Sequence, residues 1–178
     1  MTSAGAADTA PTPTPQSLRE PVHRVDPAAI RWWTLRSALG SLALLVPQLG
    51  VLGVLVATGL DPAVLVVTSA LTLVAGLVHL LVVPRVRFRV HRWEATPDAV
   101  HTLAGWIGRT WRSAPVARVQ TVDTDQGPLQ RLFGLTTVVV TTASSAGAVR
   151  IEGLDATRAH RLAHDLTVAA HRAGGDAT

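Results

Sequence analysis

The residues with the clearest chemical potential are four arginines. Arg85, Arg87 and Arg89 alternate with Val86, Phe88 and Val90, and Arg92 follows. This alternation predicts a strand with one cationic and one apolar face. A cationic face suits anionic headgroups, where each arginine near the surface contributes about 1 kcal/mol. Topology setting and solvation of the strand face account for it as well. Asp123 and Asp125 are two apart, so in a strand they point to one side. They fall short of the six or so oxygens that Ca²⁺ takes, and read as a solvated strand face. His160 and His164 are one helical turn apart, with His171 near that face. Such spacing can hold zinc, but no third ligand is evident and Arg158 and Arg161 oppose a cation. The stripe reads as solvent-facing, so no metal or cofactor is assigned. There is no Ser/His/Asp order, HExxH motif or phosphate-binding glycine loop. No catalytic residue or small-molecule substrate is therefore assigned, and the chain reads as a non-enzyme.

Two long apolar elements must position these groups. Ser37 to Leu60 and Ala63 to Val83 carry no charged side chain, and only Asp61 interrupts the turn between them. As helices they extend roughly 30–36 Å, enough to cross a hydrocarbon core of about 30 Å. They predict a transmembrane hairpin over about 37–60 and 63–83, within a membrane unit 31–84. Pro47 predicts a kink, and Gly50 and Gly53 predict close approach of the second helix. Arg31, Trp32, Trp33 and Arg36 stand just before the first span, where tryptophan and arginine suit the headgroup interface. Arginines flank both outer ends and none lies in the linking turn. The positive-inside rule then places both termini in the cytoplasm of a two-span cell-membrane protein. His79, near the end of the second span, can snorkel to the interface.

Residues 1–30 read as a disordered tail, its first part rich in Ala, Thr and Pro. The segment 85–173 reads as one small domain, followed by a flexible tail at 174–178. Thr96-Pro97-Asp98 is a turn signal, and Val100–Leu103, Ile107–Ser113, Val119–Thr124 and Thr136–Thr142 read as strands. Pro128 opens a short helix that Gly134 stops. Asp155 caps a last helix whose Ala159, Leu162, Ala163, Leu166 and Ala170 form one apolar stripe. Trp93, Trp106 and Trp111 read as packing or rim residues. The net charge is +4 with no lysine and no cysteine. Disulfides and thiolate metal sites are excluded, and no aromatic-interleaved basic cluster points to nucleic acid.

The order of motifs resembles a known family. A two-span hairpin and a basic segment precede Pro115-Val116-Ala117-Arg118-Val119-Gln120. Gln126-Gly127-Pro128-Leu129-Gln130-Arg131-Leu132-Phe133-Gly134-Leu135 follows, then a valine-rich strand, Ile151-Glu152-Gly153-Leu154 and a final helix. This is similar to the YdbS-like bacterial membrane proteins, which carry a bacterial pleckstrin-homology-like (PH-like) domain. The resemblance spans about Arg31 to Ala173. It implies an α+β membrane protein: a transmembrane hairpin, then a seven-stranded PH-like β-barrel capped by a C-terminal α-helix. It marks Pro115, Arg118, Gln120, Gly127, Pro128, Leu129, Arg131 and Gly134 as motif residues and implies no enzyme activity. Arg131 is expected to hold its loop against the barrel or to face a partner.

Two functions remain. One is a membrane-anchored module that binds a protein partner or oligomerises at the cytoplasmic face. The other is a sensor of anionic headgroups through the basic first strand. The bilayer is a partner in either case.

Overall fold

The computed structural model describes residues 20–143 and 147–175. β1 (His23–Arg24) precedes two long helices, α1 (Ala28–Thr58) and α2 (Ala63–Val90). Next come β2 (Arg92–Ala95), β3 (Ala99–Gly105), β4 (Arg109–Pro115), a 3-10 turn (Val116–Arg118) and β5 (Val119–Asp125). α3 (Pro128–Leu132), β6 (Leu135–Thr142), β7 (Val149–Asp155) and α4 (Ala156–Gly175) complete the order.

The strands form two antiparallel sheets, β1-β2-β3-β4 and β5-β6-β7. Neither closes on itself, so the expected barrel is two open sheets with a helix across them. α4 packs chiefly on β5, the Val116–Arg118 turn and β6. Its buried stripe is Ala159, Leu162 and Leu166. Asp155 caps it as expected: its Oδ1 accepts the backbone N–H groups of Thr157 at 3.0 Å and Arg158 at 3.2 Å. The β3–β4 turn requires glycine at 105. Its φ is +133°, and a Cβ there would lie 1.8 Å from the Gly108 carbonyl oxygen.

α1 and α2 pack on each other and carry Leu44, Val54, Val64, Leu71 and Leu81 outward. The core helix of a soluble protein would bury such side chains; here they form the lipid-facing surface of two membrane spans. The helices approach most tightly away from the glycines singled out in the sequence. A Cβ added at Gly50 or Gly53 meets nothing within 4 Å, whereas one at Gly76 would lie 2.9 Å from Ser41 Oγ. Gln48 adds an interhelical bond, donating from Nε2 to Thr72 Oγ1 at 3.2 Å.

Three expectations change. Residues 85–90 are the end of α2, not a first strand. Charge alternation over so few residues fits either structure. A helix already propagating gains one bond per added residue, and arginines near its C-terminus oppose the dipole favourably. The cationic face therefore splits. Arg85 and Arg89, four apart, are exposed, while Arg87 turns inward and is partly buried. Second, α1 starts well before the span, at Ala28, and residues 20–30 are not a free tail. β1 pairs with β2 in the register His23↔Trp93 and Arg24↔Arg92, and residues 1–19 lie outside the described residues. Third, Trp32 and Trp33 are buried in the domain's hydrophobic core. At the other end α4 reaches Gly175, and the rest of the expected tail lies outside the described residues.

Candidate membrane-face interaction site

The spans and the domain meet at a fixed junction. Asp26 Oδ1 accepts the Ala28 N–H at 2.7 Å, and the Asp26 N–H reaches the Gly153 carbonyl at 2.8 Å. Gly153 has a φ of +75°, and a Cβ there would lie 2.9 Å from the Ala29 methyl. The first turn of α1 thus rests directly on the β7 backbone. Trp33, 2% exposed, follows one turn later. The Arg87 guanidinium lies 4.7 Å from the Trp33 ring, within cation–π range. The same guanidinium pairs with Glu152 at 3.2 Å. His91 closes the group, its ring 5.1 Å from that of Trp33.

His91 is buried and bonds to the Arg87 carbonyl through Nδ1 at 2.9 Å. A carbonyl only accepts, so Nδ1 carries the hydrogen. Burial, reinforced by the Arg87 charge, pushes the imidazole pKa below its usual 6.5. The folded state therefore keeps His91 neutral where the unfolded chain binds a proton. This contribution to stability is complete above 6.5 and falls as pH drops from there toward the folded value. The slope is at most about 1.4 kcal/mol per pH unit for one proton. Melting of the detergent-solubilised protein from pH 7.5 to 5 should show a falling midpoint. In His91→Gln the fall should be smaller; equal falls in both proteins would exclude this group.

The other expected site residues scatter. Arg31 lies over Phe133, 5.8 Å from its centroid, and joins α1 to the short helix α3. Arg36 is exposed at the domain end of the first span. Arg92 pairs with Glu20 at 3.7 Å. Asp125 pairs with Arg150 at 3.3 Å, and Asp123 accepts from the Thr121 hydroxyl at 3.0 Å. His160, His164 and His171 are exposed along α4. Among the described residues no three metal-ligating groups converge. His79 stands edge-on to Trp106, centroids 6.1 Å apart.

The motif residues build a frame. Pro115 and Arg118 bracket the turn that passes the chain from the first sheet to the second. Gln120 is exposed on β5, an edge strand of the second sheet. Pro128 opens α3, Leu129 packs against the core, and the Gly134 carbonyl accepts the Ala156 N–H at 3.0 Å. Arg131 is exposed, and two glutamines hold the loop in its place. Gln130 Oε1 accepts the Gly127 N–H at 3.0 Å, and its Nε2 donates to Thr137 Oγ1 at 2.8 Å. Gln126 Nε2 donates to the Leu135 carbonyl at 2.9 Å. Glutamine 130 three residues after the glycine that opens the helix was the available signal.

A cleft of about 630 Å³ opens where the hairpin meets the domain. Arg36 and Arg87 stand at it, Gly40 and Gly76 line its floor, and Trp106 closes one side.

Comparison with known proteins agrees with this architecture. The family model described as "Bacterial PH domain" matches residues 41–169. The "UPF0699 transmembrane protein YdbS" of Bacillus subtilis (strain 168) is 27% identical over 148 residues, covering 83% of this chain and 92% of the relative. No solved structure matches.

Proposed function

The chain belongs to the bacterial PH domain family, and on that premise we propose a non-catalytic module that receives a protein partner, or a second copy of itself, at the cytoplasmic membrane face. The family description and the relative's name are those of a domain and a membrane protein, not of an enzyme. The arginines at the domain end of the spans support a cytoplasmic domain with both termini on that side. One observation carries the reading. β5 pairs with β6 on one side only, and no strand covers its other edge among the described residues. Gln120, Thr121, Asp123, Thr124 and Asp125 are exposed along it. An exposed edge of this length is a template for adding an extended peptide. Asp123 and Asp125 would discourage indiscriminate pairing and favour a segment with basic residues. Tethering by the spans raises the concentration of that edge near membrane partners.

Photo-crosslinking residues placed at Gln120 or Thr124 of the intact protein in its membrane should give discrete adducts. The same group at exposed Asp98, on the β2–β3 turn, should not. Equal labelling from all three positions, or none, would contradict the edge as the contact.

A further inference from the structure

The cleft between hairpin and domain has its own chemistry, separate from the β5 edge. It sits at the domain end of the two spans, where hydrocarbon gives way to headgroups. Its mouth carries two guanidinium groups. Arg87 is balanced by Glu152. Among the described residues no carboxylate pairs with Arg36. Arg36 and Arg87 line one cleft, where two like charges repel. An anion between them would relieve that repulsion and supply the missing counter-charge. Below the mouth the lining is mixed: Ser41, Thr72 and His79 stand among Gly40, Gly76 and Leu44.

Gly40 is what makes room. A Cβ at Gly40 would meet nothing within 4 Å, so open space lies beside the helix at the depth where an acyl chain begins. The β3–β4 loop forms the side wall. Trp106 and Ile107 at its tip are 46% and 82% exposed, and Trp106 stands against His79 of α2. An exposed isoleucine beside the domain end of a span suits an apolar surrounding better than water.

We infer that this cleft holds one anionic phospholipid. Its phosphate lies between Arg36 and Arg87, and its first chain carbons run along Gly40, Gly76 and Leu44. Charge at the mouth, a floor of small, apolar and uncharged polar residues on the two spans and a volume within the usual range of ligand sites of about 300–1,000 Å³ all match that occupant. A soluble anion would leave the floor empty, and a peptide would leave the unpaired guanidinium unexplained.

The test uses the full-length protein, delipidated in neutral detergent and titrated with phosphatidylglycerol or phosphatidylcholine under native mass spectrometry. Wild type should retain one phosphatidylglycerol in preference to phosphatidylcholine. Arg36→Gln should weaken that retention about fivefold, the usual share of one arginine near a lipid surface. Gly40→Leu changes no charge but fills the cleft, and should abolish the single retained lipid. Arg85→Gln removes the same charge from outside the cleft and should keep it. Each variant is first checked for an unchanged lipid-free melting midpoint, and Gly40→Met, which also reaches into the cleft, replaces Gly40→Leu if the latter fails. Equal loss in Arg36→Gln and Arg85→Gln would mean diffuse surface attraction and overturn the site. So would equal retention of the two lipids, or displacement by glycerol phosphate. A dimer that disappears in Gly40→Leu would assign the cleft to a second copy and overturn it as well.

Discussion

Trp33→Ala is expected to lower the melting midpoint of the intact protein by roughly 10 °C. A buried tryptophan truncated to alanine costs about 3–5 kcal/mol, and a chain of this size loses about 2–4 °C per kcal/mol. The loss is large because Trp33 is where hairpin and domain are joined. It is 2% exposed, it stacks beneath Arg87, and its ring contacts those of Trp32 and His91. Removing it opens a cavity and leaves Arg87 with Glu152 alone. Trp33→Phe is the informative companion. The Trp33 indole N–H is buried without a partner among the described residues, so phenylalanine sheds an unsatisfied donor while keeping most of the ring. The phenylalanine variant should recover at least half of the lost midpoint. Trp106→Ala, at an exposed ring, should shift it little. An alanine variant at position 33 that melts with wild type would show that α1 does not begin inside the domain's core.

Removing α4 by ending the chain after Asp155 is expected to do more damage. Ala159, Leu162 and Leu166 are buried against the sheets. Each large apolar side chain contributes about 1.5–3 kcal/mol when fully buried, and the surfaces that they cover become exposed too. The loss approaches the whole stability of a small domain, about 5–15 kcal/mol. The truncated domain should lose its cooperative transition and be degraded rapidly by added protease while the spans stay in the micelle. Leu166→Ala grades the effect, with an expected loss of about 2–5 kcal/mol and a transition that remains cooperative. A truncated protein that melted at the wild-type temperature would place α4 outside the core.

Several elements were legible because one local signal sufficed. The uncharged runs gave the spans, Val138 to Val140 gave β6, and the alanine–leucine stripe with Asp155 before it gave α4. The misreadings share a cause: each depended on a partner distant in the chain. Arg87 belongs to a helix because α2 continues into the domain, where Glu152 and Trp33 receive it. Trp32 and Trp33 look like headgroup anchors until Gly153, some hundred and twenty residues later, offers α1 a seat on the sheet. A two-residue strand such as His23–Arg24 carries no pattern of its own and exists only through pairing with Arg92 and Trp93. The cleft was invisible for the same reason, since Arg36, Gly40, Gly76 and Trp106 lie on three separate elements.

The pairing of β1 with β2 has a further consequence, in time. During synthesis β1 leaves the ribosome before either span exists, and its partner emerges only after both. The first sheet therefore cannot finish until the bilayer has taken up the whole hairpin and returned the chain to its starting side. If only one span inserts, the two halves of that sheet are left in different compartments, with Trp93 and the seat on Gly153 uncovered. Such a chain would expose its core to the quality-control proteases of the membrane. Completion of the first sheet thus requires both spans to be in place.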